Sequence, residues 1–174
     1  MKKYLLVLLT LLLTSSFYAQ KRMYIYNFSS YDMYMSYFYT IPNLDTDFGA
    51  TNINTEEPLI FEAGQSYSYT TTLTGPNSNG FPFSGFSGMT WTWNINGAIS
   101  TGHTGTQTEF LNGTGQKFYF MKVSGISSGY DGGNLGQPYG VSQSFISGDN
   151  VDFYFVENHI SASEIEYTIM MLDN

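Results

Sequence analysis

Apolar and polar residues alternate along much of this chain, the period-2 signature of half-buried strands. Met89, Trp91, Trp93 and Ile95 alternate with Thr90, Thr92 and Asn94. Tyr67, Tyr69, Thr71 and Leu73 alternate with Ser66, Ser68, Thr70 and Thr72. Each reads as a strand with one wet face. Residues 58–61, 117–123, 151–156 and 165–172 supply further strands, and 141–146 another. Asn96-Gly97 is the strongest hairpin turn; it returns the chain through 98–101, with 106–111 as a continuation. Residues 41–57 read as a polar connection without a period, and no segment carries a convincing amphipathic helix.

The densest aromatic stretch, 22–40, organises the rest. In extended conformation Tyr24, Tyr26 and Phe28 share one face, opposite Met23, Ile25 and Asn27. From 31 to 39, strict alternation groups Tyr31, Met33, Met35, Tyr37 and Tyr39 against Asp32, Tyr34, Ser36, Phe38 and Thr40. Large side chains on both faces predict a central strand. Ser29-Ser30 separates the two strands and lacks the Asn-Gly or Asp-Gly of a tight hairpin, leaving a β-arch or a bulged bend as the alternative. Short antiparallel strands at regular spacing, roughly 8–10 of them, predict an all-β, single-domain sandwich or jelly-roll-like fold over 20–174.

Residues 1–19 read as a cleavable secretory signal. Lys2-Lys3 precede a short apolar run, which ends in Thr14-Ser15-Ser16 and then Ala19. That run is too short to span a bilayer, which takes ~20 residues. A secreted or periplasmic location is expected. The chain contains no cysteine, so disulfides and thiolate metal sites are excluded. Its formal charge is −8, and loss of Lys2 and Lys3 with the leader leaves four basic residues against fourteen acidic. Such a balance disfavours nucleic acid and anionic membranes as partners.

No G-x-S-x-G elbow or H-E-x-x-H helix occurs. His103 and His159 lie near Glu109 and Glu157 at spacings that define no catalytic set. Asp45-Thr46-Asp47, Asp131-Gly132-Gly133-Asn134 and Asp149-Asn150-Val151-Asp152 offer partial oxygen sets for calcium, but turn propensity accounts for all three. No cofactor, metal or catalytic residue is therefore expected. Trp91 and Trp93 suit sugar stacking, yet share their face with Met89 and Ile95, so burial is expected. Aromatics in the Gly-rich loops 75–88 and 124–149 are the expected ligand contacts: Phe81, Phe83, Phe86, Tyr130 and Tyr139, with three phenylalanines folded inward as a plug over the sandwich end as the alternative. The expected function is a non-catalytic binding or surface-associated module, its partner a glycan or another envelope component. A membrane-active protein using the phenylalanine loop is the alternative, and an exported hydrolase a weaker one.

Overall fold

Strand β1 (Gln20–Asn27) buries Met23, Ile25 and Asn27 on one face and turns Tyr24 and Tyr26 toward the other, as its alternation requires. The computed structural model describes residues 20–42, 51–55, 58–70, 86, 89–95, 97–112, 116–126, 131–161 and 164–174. The expected leader lies outside them. Twelve strands among these residues form two sheets. Sheet A runs β10 (Phe145–Ser147), β11 (Val151–Ser161), β12 (Glu164–Asp173), β1 and β5 (Ser66–Thr70). Sheet B runs β7 (Ala98–Thr104), β6 (Thr90–Ile95), β3 (Thr51–Thr55), β2 (Met33–Pro42), β8 (Gln116–Gly125) and β9 (Gly132–Gly136). β4 (Leu59–Phe61) also pairs with β2. β1 lies parallel to β12, and every other strand pairing among the described residues is antiparallel.

The sheets pack face to face through aromatic side chains. Phe118 of β8 meets Phe155 of β11 at 5.2 Å and Tyr167 of β12 at 5.5 Å. Around them Ile25, Ile169, Met35, Met121 and Trp91 close a single core. β2 is central, as expected: β8 flanks one side, and β3 and β4 share the other. β1 and β2 are joined by an arch between sheets, not by a hairpin. Asn27 holds the arch from within, its Nδ2 donating to the carbonyls of Tyr31 (2.8 Å) and Phe61 (2.9 Å). The Asn27 side chain thereby substitutes for the missing turn signal.

Alternation over 31–39 holds only through Met35. Two β2 residues, Ser36 and Tyr37, then face the single Lys122 step of β8, a β-bulge. Because side chains alternate with period 2, the extra residue inverts the strand. Phe38 and Thr40 turn inward and are fully buried, while Tyr37 and Tyr39 turn outward. A second irregularity at Tyr119 restores the register with β8.

Two other expectations change. Residues 106–111 are helical, within α1 (Gly105–Asn112). Thr104 and Gln107 form a capping box: Thr104 N–H donates to Gln107 Oε1 (3.0 Å), and Gln107 N–H to Thr104 Oγ1 (3.2 Å). Thr108, on the next turn, accepts the Trp93 indole N–H at 3.0 Å and anchors the helix to β6. Strand β3 lies within the stretch read as a polar connection, recruited by pairing with β6 and β2.

The Gly-rich stretch 124–149 contains β9 and β10. At Gly136 (φ +107°) a Cβ would collide with the Tyr119 carbonyl, so glycine lets β9 lie close on β8. Asp131 pins the end of this stretch. Its buried carboxylate accepts the backbone N–H groups of Asp149 (2.7 Å), Asn150 (2.7 Å) and Val151 (3.2 Å). Those from Asp149 and Asn150 hold its pKa below the ordinary value against the opposing effect of burial. A carboxyl with a depressed folded pKa stabilises the fold above the ordinary range and loses that effect as pH falls. Asp131→Ala is expected to lower the melting temperature by roughly 5 °C at neutral pH. The gap from wild type should narrow at an acid pH below the ordinary carboxylate range, where the stabilisation is lost as pH falls toward the depressed folded pKa. An equal gap at both pH values would refute the charge-assisted role.

Candidate functional site: two aromatic sheet faces

Alternate residues on one strand lie about 6.8 Å apart, so aromatics two apart come within stacking range. On β1, Tyr24 and Tyr26 stack with centroids 6.2 Å apart and planes 9° from parallel. Tyr26 and Phe28 follow at 5.4 Å and 13°. The result is a three-ring ladder on the outer face of sheet A, ending in Phe28, which is 56% exposed. Register extends the patch across four strands: Tyr26 lies beside Met170, Met170 beside Tyr154, and Tyr154 beside Phe145. The Phe145 and Tyr154 rings are 4.9 Å apart.

Polar groups border this strip. Ser66 and Ser68 lie in register with Tyr26 and Tyr24. The Tyr154 hydroxyl donates to Asp152 Oδ2 at 3.3 Å. Burial, then the Asp152 charge, raises the Tyr154 pKa, so the hydroxyl stays protonated. Arg22 is engaged with Glu164 at 2.8 Å.

A second aromatic cluster occupies the outer face of sheet B, where the bulge has placed it. Tyr37 stacks with Tyr39 at 5.9 Å and 14°, and Phe120 lies 5.6 and 5.3 Å from them. Tyr119 borders Tyr39 at 6.1 Å. Burial pushes the Tyr39 pKa up to about 12, with smaller contributions from Tyr37 and Tyr119. Lys122, exposed on β8, is in register with Tyr37 on β2 and with Asn134 on β9.

Of the expected ligand residues, Phe86 is corrected. It is 2% exposed, lies 6.1 Å from the Trp91 ring in near-parallel planes and meets Tyr69 edge-on at 4.7 Å. It plugs the core, where its apolar area is better accommodated than at the surface. Phe81, Phe83 and Tyr130 lie outside the described residues. Tyr139 sits in a 3₁₀ turn (Pro138–Gly140) next to β8, where Gln137 N–H donates to the Tyr119 carbonyl at 2.7 Å. That turn borders the sheet B cluster. Trp91 and Trp93 are buried, as expected. Sequence reasoning missed the outer-face aromatics as binding candidates, although it grouped Tyr24, Tyr26 and Phe28 on one face.

The histidines form local pairs. Ser100 Oγ and His103 Nε2 are 2.7 Å apart, and the imidazole stacks on Trp93 at 3.5 Å. His159 pairs with Glu157 at 2.8 Å on β11. Two of the partial calcium sets do meet in space, but through Asp131 accepting backbone N–H donors. No group of three or more potential metal ligands occurs among the described residues. None of their helices is long and apolar enough to cross a membrane. No protein-family model, curated protein or solved structure matches the chain.

Proposed function

We propose that this chain is an exported binding module that acts without catalysis and holds a saccharide on the outer face of sheet A. The observation that carries the reading is the Tyr24–Tyr26–Phe28 ladder facing solvent. Aromatic rings fixed to a strand form a rigid platform, and they lose little conformational freedom when a ligand docks. The apolar C–H face of a pyranose ring covers such a surface, while Ser66, Ser68 and Tyr154 border it with hydroxyls for hydrogen bonds to the sugar. Arg22 is engaged by Glu164, and Asp152 adds negative charge, which favours an uncharged sugar. Export rests on the leader. The membrane-active alternative depends on an exposed phenylalanine loop, and Phe86, the one member described, is buried.

Affinity electrophoresis through gels containing neutral polysaccharides tests the reading. Tyr26→Ala and Phe28→Ala are each expected to weaken retention by about tenfold, the order of one aromatic stacking contact. Their melting temperatures should stay near wild type. Absence of retention by every neutral polysaccharide, or retention indifferent to both substitutions, would reject it.

A further inference from the structure

One row of side chains crosses the whole of sheet A on its outer face. Ser66, Tyr26, Met170, Tyr154 and Phe145 lie side by side on β5, β1, β12, β11 and β10. Their chain neighbours Ile25, Ile169, Met171, Phe153 and Phe155 are buried, so period-2 alternation turns the row outward. Phe145 is 41% exposed, and Tyr26, Met170 and Tyr154 are half-buried. Neighbouring strands lie about 4.8 Å apart, which separates Tyr26 from Phe145 by roughly 14 Å. A pyranose is no wider than the phenyl ring it covers, so one sugar unit cannot reach both ends.

The rings also turn along the row. On β1 successive rings stay within 13° of parallel, whereas Tyr154 and Phe145 are tilted by 40°. Adjacent strands rotate by about 20–25° relative to one another, so the row twists as a whole. A flat solid surface touches only part of such a row, while a single chain that turns at each glycosidic bond can follow it. Charge narrows the occupant further. The outward-pointing charges on these strands are Asp152, Glu164 and Glu166 against Arg22. Glu62, Asp149 and Asp173, at or beyond strand ends, add to the acidic excess. A second copy of this chain laid face to face would set like charges against each other, and an uncharged ligand meets no such cost.

We infer that the outer face of sheet A binds a single neutral glycan chain across its strands, with three or more sugar units seated between Tyr26 and Phe145. The end units stack on Tyr26 and on the Tyr154–Phe145 pair, and the unit between them lies over Met170. Ser66 at one end of the row, with Ser68 and Thr168 in the row beside it, offers hydroxyls along the chain. The inference rests on the saccharide reading of sheet A and adds the length and physical state of the ligand.

Titration calorimetry with oligosaccharides of one to six units, from β-1,4-glucan, β-1,4-mannan, β-1,4-xylan and α-1,4-glucan, tests it. In at least one series, affinity is expected to rise about tenfold between two and four units and then level off. Phe145→Ala should weaken binding of the hexamer by about fivefold, the order of one aromatic contact, with an unchanged melting temperature. Tyr26→Ala should weaken it similarly, although the two rings stand on strands that do not touch. Loss of binding in Tyr26→Ala with none in Phe145→Ala would confine the site to β1. That result, or equal affinity for one unit and six, would overturn the inference and leave the saccharide reading intact. So would binding to microcrystalline glycan without binding to the soluble oligomers. A dimer dispersed by Phe145→Ala, with no oligosaccharide bound, would assign the face to a second copy and overturn the inference. Failure to bind any oligomer or neutral polysaccharide would remove both readings.

Discussion

Trp91→Ala is expected to destabilise the protein by about 3–5 kcal/mol, the usual cost of truncating a large buried aromatic. Trp91 is fully buried. Its indole lies 6.1 Å from Phe86 in near-parallel planes and meets Phe38 edge-on, also at 6.1 Å. Those three rings belong to β6, β2 and the segment preceding β6 and all contact one another, so removing the indole opens a void beside two rings held by separate segments. The native interior is close-packed, and the surrounding sheets relax only in part. Trp91→Phe, which keeps a ring, should lose less. Ile99→Ala, at a position 70% exposed on β7, should stay within about 0.5 kcal/mol of wild type. Urea midpoints of the three variants measure this. An unchanged midpoint for Trp91→Ala would mean that the indole does not support the core.

Stability is also expected to rise with pH between about 8 and 10, against the common trend of a maximum near neutrality. Lys21 is 1% exposed at the inward-facing start of β1, where its ammonium donates to the Gln116 carbonyl. Burial, with a smaller contribution from Lys117, lowers its pKa from 10.5 to about 8. Below pH 8 both folded and unfolded chains carry this proton, and the folded one holds the charge at a cost of roughly 3 kcal/mol. Between 8 and 10.5 the unfolded chain binds more protons than the folded one, so stability climbs with pH. Tyrosines then reverse the trend. Burial raises Tyr39 and Tyr69 to about 12 and Tyr167 beyond that range. Above about pH 10 the unfolded chain ionises its tyrosines first, and stability falls. Urea midpoints taken at unit intervals from pH 7 to 11 should therefore pass through a maximum between about 9 and 10. Lys21→Met should abolish the rising limb. Its gain at neutral pH will be partly offset, because the Gln116 carbonyl loses its donor. A flat profile from pH 7 to 10 would show that the amine is solvated.

Much of the architecture was legible along the chain. Period-2 alternation marked β5 and β6, because a half-buried strand must alternate to have one apolar face, and β8, β11 and β12 were legible as short apolar runs between turns. Asn96-Gly97 marked the β6–β7 turn, and Gly97 takes the positive φ of +85° for which glycine suits that position. Burial of Trp91 and Trp93 followed from their neighbours on the same face. Even α1 had a local signal that went unread, the Thr104-x-x-Gln107 box.

What sequence could not decide were relations between strands. The bulge at Ser36-Tyr37 leaves no compositional mark, because both faces of β2 already carried large side chains. Yet that one added residue exchanges which aromatics are core and which are surface. β3 and β9 exist because neighbouring strands offer unpaired backbone groups, a tertiary cause that overrides weak local propensity. The candidate sites have the same origin. Alternation grouped Tyr24, Tyr26 and Phe28 on one face, but only packing determined that this face meets water while Met23 and Ile25 meet the other sheet. Loop composition pointed to Phe86 as exposed, and the core claimed it instead. Periodicity thus determined that faces exist; the stacking of two sheets decided which pair turns inward, since only one arrangement buries the continuous apolar area on both.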